Sequence, residues 1–525
     1  MTYKKQARLT KEERYDAIIE NAKSITSSTA QTHEQATNNL ASLAGTFPEV
    51  FPVSDDFIKL YEEGLICNLS EGFLPYAPRY ILPNYELVLK NGSKFLRLEP
   101  AKNLEDALLN LLILYRHVPS VTHYPVYLGS ADKMLEPYID TVSEEEASHM
   151  IERWLYTISR MIPDSYCHMN IGPEETKAGN MILDAEIIHQ EAIPSITMLY
   201  DEEITPAEFA KKGLECAQYS AKPSFANHKA YTESTGFDYG IASCYNALPV
   251  GGGAFALNRV MISRLAEIAE TEEEFFDHWL PYATNTLQEF MDSKVKYMVE
   301  ESHFFKSNFL VDEGFLELDK FTAMVGIVGM NECVNELLRK RGSNNHYARS
   351  QEADELTDKI LSHLTELLEN HEAKYMAVTD HHYFLHSQVG IAEDIGVTPG
   401  IRIAIGDEPE TVYDKLNHQA KFEHYFPSGV GDIYPFDSTG QQNLDGLLDI
   451  VNGSFQQGMQ YFSTYASDSD VVRVTGYLVK KSDLEKLDRN ENVGQANSTW
   501  GYYASRNQHA LERKTESFSN ATSGN

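Results

Sequence analysis

Positive charge is scarce in this chain: Lys and Arg number 44 against 78 Asp and Glu, a formal net charge of -34 over 525 residues. Such a surplus repels phosphate backbones and anionic lipid surfaces, so neither nucleic acid nor a membrane is an expected partner. Long apolar runs are missing too, and no transmembrane segment is expected. The opening Met1-Thr2-Tyr3-Lys4-Lys5-Gln6 runs into a charged helical pattern without an apolar stretch, so no secretory leader is read and the cytoplasm is the expected location. Cysteine is sparse: Cys67, Cys167, Cys216, Cys244 and Cys333 are odd in number, scattered and free of any CxxC pair. That pattern argues against a disulfide framework and against a structural zinc site, so no metal is expected.

What is present describes a large packed body. Apolar residues make up 42% and charged residues 23%, and the 30 tyrosines offer many aromatic side chains to line a buried site. Residues 9 to 45 read as a helix followed by a Ser/Thr/Gln/Asn-rich stretch, an N-terminal helical arm over residues 1–45. Helical stretches such as Leu104 to Tyr115 and Ala147 to Met161 alternate with short β-like runs, Pro125 to Leu128 and Ser195 to Tyr200. The alternation predicts an α/β core over residues 46–440. A C-terminal segment spans 441–514, and the polar residues 515–525 read as a disordered tail.

The sharpest local pattern is Val471-Val472-Arg473-Val474-Thr475-Gly476-Tyr477-Leu478-Val479. β-branched flanks meeting at a glycine describe a tight tip between two extended segments, a pattern that an ordinary hairpin bulge also satisfies. A second pattern runs from Tyr239 through Ser243-Cys244-Tyr245-Asn246 to Pro249-Val250-Gly251-Gly252-Gly253: strand-like residues, a cysteine at a loop tip, then a proline-glycine turn. After the turn, Val260, Ile262, Leu265 and Ile268 predict an amphipathic helix.

Arg473-Val474-Thr475-Gly476-Tyr477 resembles the Arg-Val-(small)-Gly-(aromatic) signature of glycyl radical enzymes, and lies near the chain end as in that family. Residue frequencies put a chance match in a chain this long at roughly a few per thousand. Hydrogen loss from a glycine Cα leaves a planar radical, which a Cβ would twist and destabilise. It persists only in a cavity closed to water and oxygen. The Cys244 region resembles the family's cysteine loop, whose thiyl radical attacks substrate. Cys333, after a Gly329-Met330-Asn331-Glu332 segment similar to anaerobic ribonucleotide reductases, is the next candidate. Across most of its length the chain resembles the YjjI group, through stretches such as Pro78 to Pro83, Asn170-Ile171-Gly172-Pro173, Ser302-His303-Phe304-Phe305 and Gly406-Asp407-Glu408-Pro409.

The resemblance implies a ten-stranded α/β barrel of two parallel five-stranded half-sheets, surrounded by helices and entered by two inward finger loops. It implies a Gly476 radical relayed to a Cys244 thiyl that abstracts hydrogen from a small polar metabolite, ending in C–O or C–C cleavage. The radical would be installed by an S-adenosylmethionine radical activase carrying an iron–sulfur cluster, with no cofactor bound permanently, and by analogy the protein would be a homodimer. Ser243 stands where pyruvate formate-lyase has a second cysteine, and Asn246 where diol dehydratases carry a basic glutamate. His168, Asn170, Asn246, His303, Asp407 and Glu408 are candidate substrate-binding or acid/base residues, with His386 and Arg402 in similar segments.

Three other readings compete. A radical reductase like the anaerobic ribonucleotide reductases follows the Cys333 segment, though no cysteine-rich zinc site is present. A non-catalytic glycyl radical donor would need neither Cys244 nor a large body. A nicotinamide-dependent oxidoreductase would use Gly251-x-Gly253-x-x-Ala256 to open a helix. His382 and His386, one helical turn apart, raise a metal pair that lacks any HExxH pattern.

Overall fold

The computed structural model describes residues 11–28, 36–37, 39–40, 43, 51–68, 77–120, 126–162, 167–302, 304–389, 394–494, 496–507 and 509–518. Among the described residues fifteen strands follow in chain order: β1 Ile66–Asn68, β2 Tyr80–Leu82, β3 Tyr127–Ser130, β4 His168–Ile171, β5 Ser195–Tyr200, β6 Ser224–Asn227, β7 Tyr239–Ala242 and β8 Asn246–Pro249, then β9 Gly252–Met261, β10 Phe321–Val328, β11 Phe384–Ser387, β12 Asp432–Phe436, β13 Tyr461–Ala466, β14 Val471–Arg473 and β15 Leu478–Lys480. Helices lie between most of them, including Leu104–His117, Glu144–Met161, Lys177–His189, Ala207–Ser220, Met330–Lys340 and Gln351–Glu369. Each of the six except Ala207–Ser220 and Met330–Lys340 opens on a side-chain cap, for instance Asn103 over Asp106 N and Ser143 over Glu146 N, which satisfies amide groups the first turn cannot pair.

Two sheets carry the architecture. In one, β3 to β6 run parallel, β12 and β13 run parallel, and β6 meets β13 antiparallel. In the other, β9, β10 and β11 run parallel while β1 and β2 lie antiparallel on β9. Their edges approach at two places: a parallel bridge joins Ile81 to Val126, and Ser387 N donates to Gly429 O. The main strands are buried along their whole length, as parallel strands covered by helices on their outer face must be. One large apolar core runs from Phe51 to Phe462, and a separate one joins the residues from Val471 to Ala510 to Ala192, Ala221, Ile433 and Tyr465. Among the described residues no helix is long and apolar enough to cross a membrane.

Several expectations change here. The segment after the Pro249 turn is strand β9, not a helix, and helix begins only at Ile262. The reason is close backbone approach: a Cβ on Gly252 would lie 1.8 Å from Lys320 O, and one on Gly253, at φ 150°, 2.1 Å from Tyr80 O. Strands pack on both sides of this run, and pairing outweighs the periodicity of Val260, Ile262 and Leu265. The glycines therefore open no helix, which removes the geometric basis of the dinucleotide-binding pattern. His386 lies on strand β11, so His382 and His386 are not neighbours on a helix face. Of the tail expected over residues 515–525, residues 519–525 lie outside the described residues, and the first part bonds into the fold: Glu516 N donates to Pro435 O, Asp437 N donates to Glu516 O, and Phe518 stacks on Phe436 at 5.5 Å. The N-terminal arm is described as helix over Lys11–Ser27.

Candidate active site

β6 and β13 are antiparallel neighbours, so their C-terminal ends point to opposite ends of the sheet. A hairpin follows each. The β7–β8 hairpin, reached through helix His228–Thr235, is tethered at its base where Gly251 N donates to Leu82 O at the end of β2. The β14–β15 hairpin follows β13 directly. The two enter the interior from opposite sides.

In the first hairpin the register pairs Tyr239 with Pro249 and Ala242 with Asn246, leaving Ser243-Cys244-Tyr245 as the tip. Gly240 allows its approach to β3, since a Cβ there would stand 2.3 Å from the Tyr127 hydroxyl. Ser243 holds a left-handed φ of 63°, a strained conformation for a residue with a side chain. Asn170 fastens the hairpin as a strand would: its Nδ2 donates to Ile241 O at 2.9 Å and its Oδ1 accepts from Ile241 N at 2.8 Å. Asn246 Nδ2 donates across the tip to Ala242 O at 2.9 Å.

His168 completes the support. Its Nδ1 lies 2.7 Å from Ser243 O, which can only accept, so Nδ1 carries the proton and Nε2 accepts from the Thr197 hydroxyl at 2.8 Å. Thr197 Oγ1 is 3.0 Å from the Tyr461 hydroxyl, which lies 3.0 Å from Cys244 O. His168 and Tyr461 thus each donate to one carbonyl of the tip, and with the Thr197 proton on His168 Nε2 the Thr197–Tyr461 approach carries no hydrogen of its own. Burial pushes the His168 imidazole down to about 3, against the Ser243 carbonyl bond, so it stays neutral at physiological pH.

The second hairpin pairs Val471 with Lys480 and Arg473 with Leu478. Val474 N donates to Tyr477 O at 3.1 Å, closing a turn in which Gly476 sits third. The β-branched valines favour extended backbone on both arms, and the whole tip is buried. Arg473, 2% exposed, extends its guanidinium to Gly476 O at 3.4 Å, Ser195 Oγ at 3.4 Å and Ala221 O at 3.2 Å, all neutral oxygens. From the far side Arg513 holds the carbonyls of Arg473, at 2.8 Å, and of Val474.

The tips touch. A Cβ built on Gly476 would lie 1.8 Å from Cys244 Sγ and 2.4 Å from its Cβ. A Cα–C bond is about 1.5 Å, so Sγ lies within roughly 3.3 Å of the Gly476 Cα, along the direction one of its hydrogens takes. Gly476 is absent from the left-handed region, so it is contact with the cysteine, not backbone conformation, that forbids a side chain. Burial pushes the Cys244 thiol up to about 11, opposed by the Ser243 hydroxyl and then by Arg473, Arg402 and Arg79. The sulfur therefore keeps its hydrogen at neutral pH and offers hydrogen-atom chemistry, not thiolate chemistry.

The remaining candidates fall elsewhere. Cys333 is fully buried on helix Met330–Lys340 and is pushed well above the usual thiol range by burial. His386 is 1% exposed, its ring lies tilted beside that of Tyr245 at 5.7 Å, and it is held down to about 3 by burial. Asp407 is exposed, while Glu408 accepts from Gly406 N at 2.6 Å and lines a cleft of about 170 Å³ with Arg402, Lys415, Asp432 and Arg513. His303 lies outside the described residues. Sequence reading missed Thr197, Tyr461 and Arg513. Thr197 and Tyr461 look like ordinary strand residues, and only the antiparallel junction of β6 with β13, invisible in a single sequence, aims them at the cysteine tip.

A family model described as glycyl radical enzyme YjjI-like matches residues 31–516. An uncharacterized protein of Haemophilus influenzae is 43% identical over 439 residues, covering 83% of this chain and 85% of that protein. The uncharacterized protein YjjI of Escherichia coli is 40% identical over 459 residues, covering 86% and 87%. Among solved structures, the anaerobic ribonucleotide reductase from Thermotoga maritima in complex with dATP and CTP aligns with a TM-score of 0.66 at 12% identity, over 90% of this chain and 93% of the other. A structure described under 1,2-propanediol dehydration in Roseburia inulinivorans aligns with a TM-score of 0.70 at 10% identity, over 96% and 89%. At such identities the likeness is one of fold.

Proposed function

We propose a reading that starts from one premise: the chain belongs to the YjjI-like family of glycyl radical enzymes. Gly476 stores the radical and Cys244 relays it. The observation that carries this is the contact of the two tips, where a Cβ on Gly476 would fall 1.8 Å from Sγ. The Cys244 S–H bond breaks as its hydrogen moves to the Gly476 Cα, leaving a thiyl radical. The thiyl then takes a hydrogen atom from a substrate carbon, re-forming S–H, and the substrate radical loses or shifts a neighbouring group. The product radical recovers a hydrogen atom from Cys244, and no net oxidation occurs.

Each part of the site fits a role in that cycle. Donors on the Gly476 carbonyl favour delocalisation of the unpaired electron toward oxygen, as Arg473 would supply. His168 and Tyr461, both neutral, each fix one carbonyl of the tip without offering a charge or a mobile proton, so these are positioning residues. We read β2 to β6 and β9 to β13 as two parallel halves of one ten-stranded barrel, supported by the Ile81–Val126 bridge and the Ser387–Gly429 bond at its seams. A lyase-type outcome is favoured over nucleotide reduction because it closes the cycle without an external reductant, and no second thiol stands beside Cys244: its neighbour is Ser243, with Oγ 3.7 Å from Sγ. A radical S-adenosylmethionine activase with an iron–sulfur cluster would install the radical, and a cytoplasmic homodimer is the expected form.

The test is anaerobic activation followed by electron paramagnetic resonance and a metabolite screen read by mass spectrometry. Cys244→Ser should keep the glycyl signal and lose all turnover. Full turnover in that variant would move the thiyl role to another cysteine and sink the relay.

A further inference from the structure

Charge is distributed unevenly around the Cys244 tip. Arg402 is 5% exposed, its Nε donates to Gly431 O at 2.8 Å, and its Nη1 is buried without a hydrogen-bond partner. The strip it grips pads the cysteine tip: a Cβ on Gly429 would lie 2.3 Å from Tyr245 O, and one on Gly431 would lie 2.7 Å from the ring of Tyr461. The nearest carboxylate, Asp432, is 3.5 Å from Arg402 Nε but already accepts from Lys415 Nζ at 2.7 Å and Gln419 Nε2 at 2.8 Å. Its charge is balanced by the lysine. Glu423, fully buried nearby, is pushed up to about 8 by burial and keeps its proton at neutral pH. Arg473, as above, meets only neutral oxygens.

Hydrogen-atom transfer between carbon and sulfur moves no net charge, and beyond the Arg473 contact on Gly476 O the relay gives no role to a charge at Arg402. A buried cation is costly unless an anion completes it. A cleft of about 170 Å³ reaches Arg402; besides Lys415 and Arg513 it is lined by Asp432, by Glu332, which accepts from Thr398 N and Oγ1, and by Glu408, which accepts from Gly406 N. We propose that the substrate of the Cys244 site is a small carboxylate, one oxygen of which is received by Arg402 Nη1 beside the Cys244–Tyr245 tip. The inference rests on the relay reading for the identity of the site, but anion binding needs no radical and can be measured without one.

The experiment uses the full-length, unactivated protein. Calorimetric titration compares lactate and pyruvate with the neutral 1,2-propanediol and with inorganic phosphate, for the wild type, Arg402→Gln and Arg402→Lys. A carboxylate should bind more tightly than the diol and than phosphate, with Arg402→Gln weakening it about 100-fold and Arg402→Lys retaining part of the affinity, as expected for loss of a charge-assisted bond. Circular dichroism and thermal melts check that each variant folds, and the lysine variant carries the test if the glutamine variant does not. Equal or tighter binding of the diol overturns the proposal, as does preference for phosphate or an unchanged affinity in a folded Arg402 variant. Failure of the relay would show instead as turnover in Cys244→Ser, whatever the titration gives.

Discussion

Replacing Gly476 by alanine tests whether the two tips meet, without any radical. The added methyl would fall 1.8 Å from Cys244 Sγ, 2.4 Å from its Cβ and 3.2 Å from its Cα. The first two separations are far inside van der Waals contact, and inserting a methyl into a packed core costs about 1–3 kcal/mol. Backbone conformation contributes little, because Gly476 is not left-handed. Cys244→Gly removes both offending atoms and leaves only the 3.2 Å approach. A double-mutant cycle should therefore show a coupling of about 1–3 kcal/mol, the alanine being tolerated once the cysteine side chain is gone. Melting temperature is a blunt probe for a chain this long, so the assay is native-state hydrogen exchange of the Val471–Lys480 hairpin. There the penalty reads as roughly 5- to 150-fold faster local opening in the single Gly476→Ala variant. If that acceleration is the same in the wild-type and Cys244→Gly backgrounds, Sγ does not press on Gly476, and the inferred contact is refuted.

Anaerobically activated protein exposed to air should be cut at Gly476 into a long fragment and a short C-terminal peptide, seen by mass spectrometry; intact protein after loss of the radical signal would place the radical elsewhere. Cys67 is half-buried while the other four cysteines are buried, so alkylation at pH 7.5 under native conditions should label Cys67 first. Cys244, with its thiol near 11, should react only as the protein unfolds. His168 and His386 are held neutral to about pH 3 in the native state against about 6.5 unfolded. The unfolded chain therefore binds more protons below about pH 6.5, and the stability both residues contribute is complete above that pH and lost as pH falls toward 3. His168→Gln should reduce the slope of stability against pH across this window by about 1.4 kcal/mol per pH unit, measured by urea denaturation. An unchanged slope would mean that His168 is not held neutral.

The two residues that meet at the candidate site were more legible than the scaffolding that brings them together. Gly476 could be read because its requirement is local: a glycine between β-branched arms, in a run that few chains would contain by chance. Cys244 could be read because a hairpin tip announces itself through the residues on either side. The candidates around them, His168, Asn170 and Asn246, were residue types able to handle protons or substrate, and the structure gives each a backbone carbonyl or amide to hold at the cysteine hairpin. Sequence shows that a polar residue is inward, but not whether a main-chain group stands in front of it. Strand β9 was misread for a related reason: its glycines answer to Tyr80 and Lys320, partners distant in sequence.

The division of labour at the site is the one the proposed radical relay would tolerate. A thiyl radical gains nothing from a proton acceptor at its own tip, and a charged histidine there would make the loop's position depend on pH. The chain instead fixes the tip through Asn170, Thr197, Tyr461 and a histidine kept neutral by burial, all uncharged. The charged groups that hold the backbone of the two tips are guanidiniums: Arg473 and Arg513 on the carbonyls of the glycyl hairpin, and Arg402 on the strip behind the cysteine tip. Guanidinium cannot be deprotonated at physiological pH, so it stabilises an oxygen without competing for hydrogen. Rigidity comes from neutral bonds and polarity from permanent cations, which in the proposed relay would leave the Cys244 hydrogen as the mobile one between the two tips.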